Sequence, residues 1–475
     1  MTTRVVCLIT ALCFLLSDFS LAAPPPLPTF PPLTFHPPRP ERVVLPNGLV
    51  VFLLEDHELP LFRVQVLVRA GSQDDPAGRT GLGSIFGPAM TQGGSARYSP
   101  EQILRVLDTT GGGLAFSVGT EETAGSLSGR SADFDTLFSL FTDLLLFPQF
   151  RNDFVKLEKD KVQEDLRRMN DEPSDIARRE FRKAVYGKTH PYARTPDPQT
   201  IDRIRRKDLL EMHRLYFKPN AAMLAVSGDF KSAEVKRKIA EALGPWASGV
   251  VTHPPVPPVV PTAAGALYYV QRPLDQSQIR IGHTGFARHD PDHFAWEIFN
   301  ELWGGSATSR LFRIVRTEKG LAYAVASVFT EPKDLGMIVA VSQTRGPETP
   351  LAIQSILEIN RAVREAPFSE EEVRAAREAI QNRFIENFTS SEQIAGERMS
   401  LEFQGFPSGY LDTYTENIGR VRLADLKRAA RKHLHPDRSV ILVVGDLSTF
   451  NKPLSTIGRP QEIRPPDYRL EAQRP

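Results

Sequence analysis

The sequence predicts an α+β protein built from two homologous domains, and three observations carry that prediction. Ile201-Asp202-Arg203-Ile204, Asp208-Leu209, Pro219 and Gly228-Asp229 return as Ile418-Gly419-Arg420-Val421, Asp425-Leu426, Pro436 and Gly445-Asp446, every pair 217 residues apart. Four landmarks in one unbroken register argue for duplication rather than coincidence. Between the copies runs His253 to Pro261, whose five prolines can sustain neither a helix nor a central strand. Within each half, segments of period two alternate with segments of helical period.

Taken in order, residues 1–22 read as a signal peptide: Arg4 supplies the positive n-region, Val5 to Leu16 is apolar, and Ser20-Leu21-Ala22 offers a cleavage site. That run is too short to span a membrane, so the expectation is an exported protein, periplasmic or secreted. Both cysteines, Cys7 and Cys13, fall inside it, leaving no thiol for a disulfide or a metal. Residues 23–41 form a proline-rich spacer that favours polyproline II. The remaining boundaries place an N-terminal domain at 42–246, a linker at 247–264, a C-terminal domain at 265–450 and a tail at 451–475. The tail, with five prolines past Asp446 and no periodicity, is expected to be poorly ordered. With 58 basic and 57 acidic residues the formal charge is +1, and the arginine clusters are interleaved with acids, which argues against nucleic acid.

Asn47-Gly48 between two apolar runs is a hairpin signal, and Phe62, Val64, Val66 and Val68 alternate with Arg63, Gln65 and Arg69 as a strand with one face inward. Ser99 and Pro100 open a helix, and Phe134, Leu137, Phe138, Phe141 and Leu145 draw the apolar stripe of the next. Strands are expected at 114–118 and 123–127, a helix at 152–169 and a closing strand at 222–227. The second half restarts with strands at 267–270 and 278–282. Strands at 321–329 and 336–342 and helices at 351–365 and 369–387 follow, the last opened by a capping box of Ser369 and Glu372.

The stretch Trp303 to Tyr323 narrows the function most. Gly304-Gly305 read as a loop opening an amphipathic helix with Leu311, Phe312 and Val315 at helical spacing, and Gly320 ends that helix by tolerating positive φ. Arg316 then leaves the end of a helix and Tyr323 the start of a strand, so the two side chains can converge.

This stretch, the Pro-Asn-Gly near the first strand and the closing Gly-Asp of each half resemble the insulinase and pitrilysin-like peptidases, the clan of mitochondrial processing peptidase, in its half-size form. The resemblance covers roughly residues 41 to 450. It implies two domains that are each a mainly antiparallel sheet with helices packed on one face. It also implies that Arg316 and Tyr323 bind a substrate carbonyl beside a zinc held elsewhere. Active members read Gly-Leu-x-His-x-x-Glu-His after the third strand; here the same place reads Gly81-Leu82-Gly83-Ser84-Ile85-Phe86-Gly87-Pro88. Ser84 and Pro88 replace the two histidines and Gly87 the general base. The family's third ligand, about seventy-six residues on, falls at Asp165, which alone cannot hold zinc. Pro88, lacking an N–H, is expected to kink or end the helix that presents the site. Substituting His at 84 and 88 and Glu at 87 and 165 is expected to recover some zinc affinity if the backbone still follows the family helix.

Other metal sites are weaker. His289, His293 and Glu297 have helical spacing, but Pro291 spoils their alignment. His190, and His213 on a polar helix face, read as structural. The resemblance therefore implies a chain that is inactive alone and holds no cofactor. It would form half of a substrate chamber and supply Arg316 and Tyr323 to a zinc-bearing partner subunit acting on peptide or unfolded polypeptide. The competing reading is a peptidase-like scaffold or peptide-binding protein with no proteolytic role.

Overall fold

The computed structural model describes residues 38–259 and 265–471. The signal segment, most of the proline-rich spacer and part of the linker lie outside them.

Strands β1 (Glu41–Val44) and β2 (Val50–Glu55) form the expected hairpin, with Val44 opposite Val50. Gly48 stands at φ +89°, and the Asn47 side-chain amide donates to the carbonyls of Leu243 and Trp246 at 2.7 and 3.1 Å. Next come β3 (Leu61–Val68), α1 (Leu82–Gln92), α2 (Pro100–Thr110), β4 (Gly113–Val118) and β5 (Thr123–Arg130). The first half continues through α3 (Phe134–Leu146), α4 (Asn152–Arg168), α5 (Pro173–Tyr186), α6 (Pro198–Arg203) and α7 (Arg206–Tyr216), then closes with β6 (Ala222–Gly228) and α8 (Ser232–Leu243).

The second half runs β7 (Leu267–Gln271), β8 (Gln276–Thr284), α9 (His293–Asn300), β9 (Ala322–Thr330), β10 (Met337–Arg345) and α10 (Thr349–Val363). Then come α11 (Glu370–Ile385), α12 (Ser391–Phe403), α13 (Tyr410–Arg420), α14 (Leu423–His433), β11 (Val440–Gly445), β12 (Pro460–Glu462) and α15 (Tyr468–Glu471). The Ser369–Glu372 capping box is present at the start of α11.

Both sheets have six strands, β1-β2-β6-β3-β5-β4 and β12-β7-β11-β8-β10-β9, and share one spatial order over five of them; the sixth is the first strand of its half in one sheet and the last in the other. Neighbours are antiparallel except β2–β6, β7–β11 and β7–β12, so the sheets are mixed with an antiparallel majority. One face of each sheet packs on helices of its own half: Val64, Val66, Ile85, Phe86, Leu140 and Phe141 are among the fully buried residues of the first core.

The other face is not open, as helices on one face alone would leave it. Helix α5 of the first half lays Ile176, Ala177, Phe181 and Val185 on Val270, Val339, Leu442 and Val444 of the second sheet. Helix α12 of the second half lays Ala395, Met399 and Phe403 on Phe52, Leu67 and Ala225 of the first. These two helices hold the same place in the 217-residue register, so the halves exchange equivalent arms. Each large apolar side chain buried this way contributes about 1.5–3 kcal/mol, and the exchange joins the two cores. Glu121, in the β4–β5 turn, ties the same junction: it accepts from Tyr192 Oη at 2.7 Å, Arg288 at 2.6 Å and the Lys333 N–H at 2.8 Å.

Three expectations need correction. The tail is ordered through its described residues: β12 adds a sixth strand beside β7, and its Pro460 fits because an edge strand needs only half its backbone donors. Gly304-Gly305 do not open a loop, since α9 continues through Glu301–Gly305 in wider turns. His213 is not on a polar face; it stacks on Phe217 and bonds the Leu145 carbonyl at 2.8 Å.

Candidate functional site

Helix α1 begins at Gly81, whose φ of +98° favours glycine. The Asp75 carboxylate caps it, accepting the N–H groups of Gly81 at 2.8 Å and Gly83 at 3.0 Å. Burial pushes the Asp75 carboxyl up to about 7, against the pull of those N–H groups and of Arg194. The helix then runs unbroken to Gln92 with Pro88 inside it, so Pro88 neither ends nor visibly interrupts the element. Thr91 Oγ1 donates to the Gly87 carbonyl at 3.0 Å and accepts the Phe116 N–H at 3.0 Å, pinning α1 to the edge strand β4.

Ser84 is exposed and Pro88 half-buried, one turn apart on α1, and Asp165 is exposed on α4, which packs against α1. Gly87 faces inward. A Cβ there would lie 2.6 Å from the Phe116 carbonyl oxygen and 3.1 Å from Ser117 Cα, both backbone atoms that cannot swing away. One turn earlier, a Cβ on Gly83 would lie 2.9 Å from Val118 Cγ1. Zinc therefore does not fit these residues. They offer a hydroxyl and one carboxylate and no imidazole, and the place that the resemblance gives to the general base is closed by strand β4.

The second half repeats this contact with a different outcome. Gly304 presses on β9 as Gly87 presses on β4: a Cβ would come 2.5 Å from the Ser327 nitrogen. Ser327 Oγ also donates to Asn300 Oδ1 at 2.7 Å. The chain then turns into the Phe312–Glu318 segment, which is helical with i→i+5 bonding, Lys319 N–H reaching the Ile314 carbonyl at 3.0 Å. Gly320 follows at φ +62°, and β9 begins.

Across that turn Arg316 and Tyr323 come together. The Arg316 guanidinium carbon lies 5.8 Å from the Tyr323 ring centroid and 4.7 Å from that of Phe312. Tyr323 is 71% exposed, unusual for a large aromatic residue, and Arg316 is exposed beside it. Neither forms a side-chain hydrogen bond or ion pair with another described residue. The nearby acid Glu318 is engaged by Arg313 at 2.5 Å. Two donors thus stand side by side with their polar ends open.

The histidines weighed in the sequence are spoken for. His289 bonds the Gln404 carbonyl at 3.0 Å, and His293, the first residue of α9, meets Glu331 at 2.8 Å and Tyr410 at 3.1 Å. His190 meets the Pro257 carbonyl at 3.1 Å. One cluster has no signal in sequence spacing: Asp290, Asp292 and His433 place one ligand-type atom each within 4.8 Å of one another. Its charges are already matched, since Asp292 pairs with Lys432 at 2.9 Å and Arg428 at 3.0 Å, so it cross-links α14 to the turn before α9. Elsewhere a 650 Å³ groove lies between α12 and the outer face of β3, β4 and β5, lined by Gln65, Ser117, Ser126, Glu386 and Glu397. Burial pushes Glu397 above the usual carboxylate range.

Among the described residues no helix is long and apolar enough to cross a membrane. The sequence profile described as Insulinase (Peptidase family M16) matches residues 50–198, and the one described as Peptidase M16 inactive domain matches residues 203–380. A protein named an uncharacterized zinc protease in Streptomyces coelicolor is 25% identical over 336 residues, covering 67% of this chain and 70% of that protein. The solved peptidase M16 inactive domain from Pseudomonas fluorescens matches with a TM-score of 0.79 at 23% identity, covering 87% of this chain and 99% of the other. The periplasmic protease PqqL of Escherichia coli matches with a TM-score of 0.72 at 15% identity, covering 92% of this chain and 50% of that one. At these identities the structural matches show the shared fold.

Proposed function

The chain belongs to the insulinase-like peptidase family, and from that premise we propose that it is the non-catalytic subunit of an exported, heterodimeric zinc peptidase. One observation carries the reading. The metal position is dismantled and packed shut at Gly87, whereas Arg316 and Tyr323 converge with their donors free. The zinc belongs to the partner subunit, where it supplies the activated water. This chain supplies half of the chamber wall and two donors, a guanidinium and a phenol, that hydrogen-bond the carbonyl oxygen of a bound peptide as negative charge develops on it. The length relation to PqqL supports pairing, since that chain is about twice as long as the part matched here. The apolar run and cleavage pattern at residues 1–22 support export.

The test is reconstitution. The purified chain, mixed with an intact His-x-x-Glu-His family member from the same genome, should co-elute with it. Hydrolysis of a quenched fluorescent peptide should appear only in the mixture and scale with zinc on the partner. A chain that binds the same peptide but pairs with no zinc-bearing subunit and adds nothing to hydrolysis would be the scaffold of the competing reading.

A further inference from the structure

We propose that Phe312 is the positioning residue for Arg316, an inference that rests on the reading of Arg316 as a carbonyl donor. A guanidinium meant to receive a ligand faces a conflict. A carboxylate partner would fix its direction but occupy the donors it needs. An aromatic face fixes the flat of the group and leaves the N–H edge open.

The structure follows the second route. The Arg316 guanidinium carbon lies over the Phe312 ring at 4.7 Å, closer than over Tyr323 at 5.8 Å. Phe312 is itself held from below, half-buried against the core of the second half beside Val315 and Leu311, so its ring direction is set by packing. Three further features keep the arrangement open. Phe312 and Arg316 are four residues apart on a segment whose wider i→i+5 turns shift the stagger of such a pair. Glu318, the acid nearest in sequence, is drawn away by Arg313 at 2.5 Å. Gly320 turns the chain so that Tyr323 lies beside the guanidinium, and no described residue bonds the Arg316 nitrogens. Phe312 therefore acts through Arg316 and does not touch the substrate.

The experiment has two arms. In the first, the chain alone is labelled with [15N]arginine, and the Arg316 Nε–Hε resonance is assigned by its loss in Arg316→Lys. Ring current should place it upfield of the free-arginine position, and Phe312→Leu should move it most of the way back, the Tyr323 ring keeping the rest, whereas Phe312→Tyr should not. A resonance at the free position in the wild type overturns the proposal whatever the fate of the peptidase reading. In the second, the reconstituted pair is assayed on the fluorescent peptide. Phe312→Leu should lower kcat about threefold to tenfold with the thermal midpoint held to that of Phe312→Tyr. Phe312→Tyr should retain activity, and Phe312→Leu should cost nothing further in an Arg316→Ala background. A loss that persists in that background, or full activity of Phe312→Leu where Arg316→Ala is impaired, overturns it. Full activity of Arg316→Ala strikes the carbonyl-donor reading instead, and the resonance then decides the positioning alone.

Discussion

Gly87 stands against the carbonyl oxygen of Phe116 so closely that a Cβ would come within 2.6 Å of it. The position that the resemblance gives to a general base is a packing contact between a helix and the edge strand of a sheet. That changes what restoring the site should do.

A variant carrying Ser84→His, Pro88→His and Asp165→Glu but keeping Gly87 should fold and take up zinc, because all three positions are exposed or half-buried on two packed helices. Adding Gly87→Glu should force α1 off β4 and destabilise the protein by roughly 1–3 kcal/mol. Metal content after desalting and urea denaturation midpoints check both statements. Equal midpoints with and without the glutamate would show that α1 can move freely.

Replacing Arg316 with Ala or Tyr323 with Phe should leave folding and complex formation unchanged, because both side chains are exposed and unpaired. Turnover of the reconstituted pair should fall by roughly 10²- to 10³-fold for loss of a donor aimed at a developing oxyanion. Steady-state kinetics alongside size-exclusion profiles separate this from a failure to assemble.

At the junction of the halves, Glu121→Ala should destabilise the chain by about 1–3 kcal/mol, because Arg288, the Tyr192 hydroxyl and the Lys333 N–H lose a shared acceptor. Glu121→Gln, which keeps one carbonyl acceptor, should cost less. Chemical denaturation of the three proteins checks the order.

Two histidines shielded from water set an acid limit. Burial pushes His213 and His283 down to about 4. His283 is bonded at both ring nitrogens, with Nδ1 donating to the Thr284 carbonyl at 2.7 Å and Nε2 accepting the His435 N–H at 2.9 Å, an arrangement only the neutral ring can make. The folded pKa values lie below the unfolded value near 6.5, so this stability is present above about pH 6.5 and lost as the pH falls towards 4. Denaturation midpoints should therefore drop across that window, and less steeply in His213→Gln and His283→Gln.

By itself the sequence determined the class and the duplication. The 217-residue register, the Asn47-Gly48 hairpin and the β3 alternation are local or strictly periodic signals, and helices and strands show them because side chains return to one face every 3.6 or every two residues. It also shows that Ser84, Gly87, Pro88 and Asp165 together offer one carboxylate and no imidazole, since ligand chemistry is written in residue type. Tertiary structure alone decided three things. The exchange of α5 and α12 is invisible in sequence because an amphipathic helix shows that it has an apolar face and not which sheet receives it. The place of Pro460 was decided by the edge beside β7, which was free to pair with it. Helix α1 runs on through Pro88, and Thr91 joins its Gly87 carbonyl to the backbone of β4 at a closeness only glycine permits, a contact that no local rule about a missing N–H anticipates.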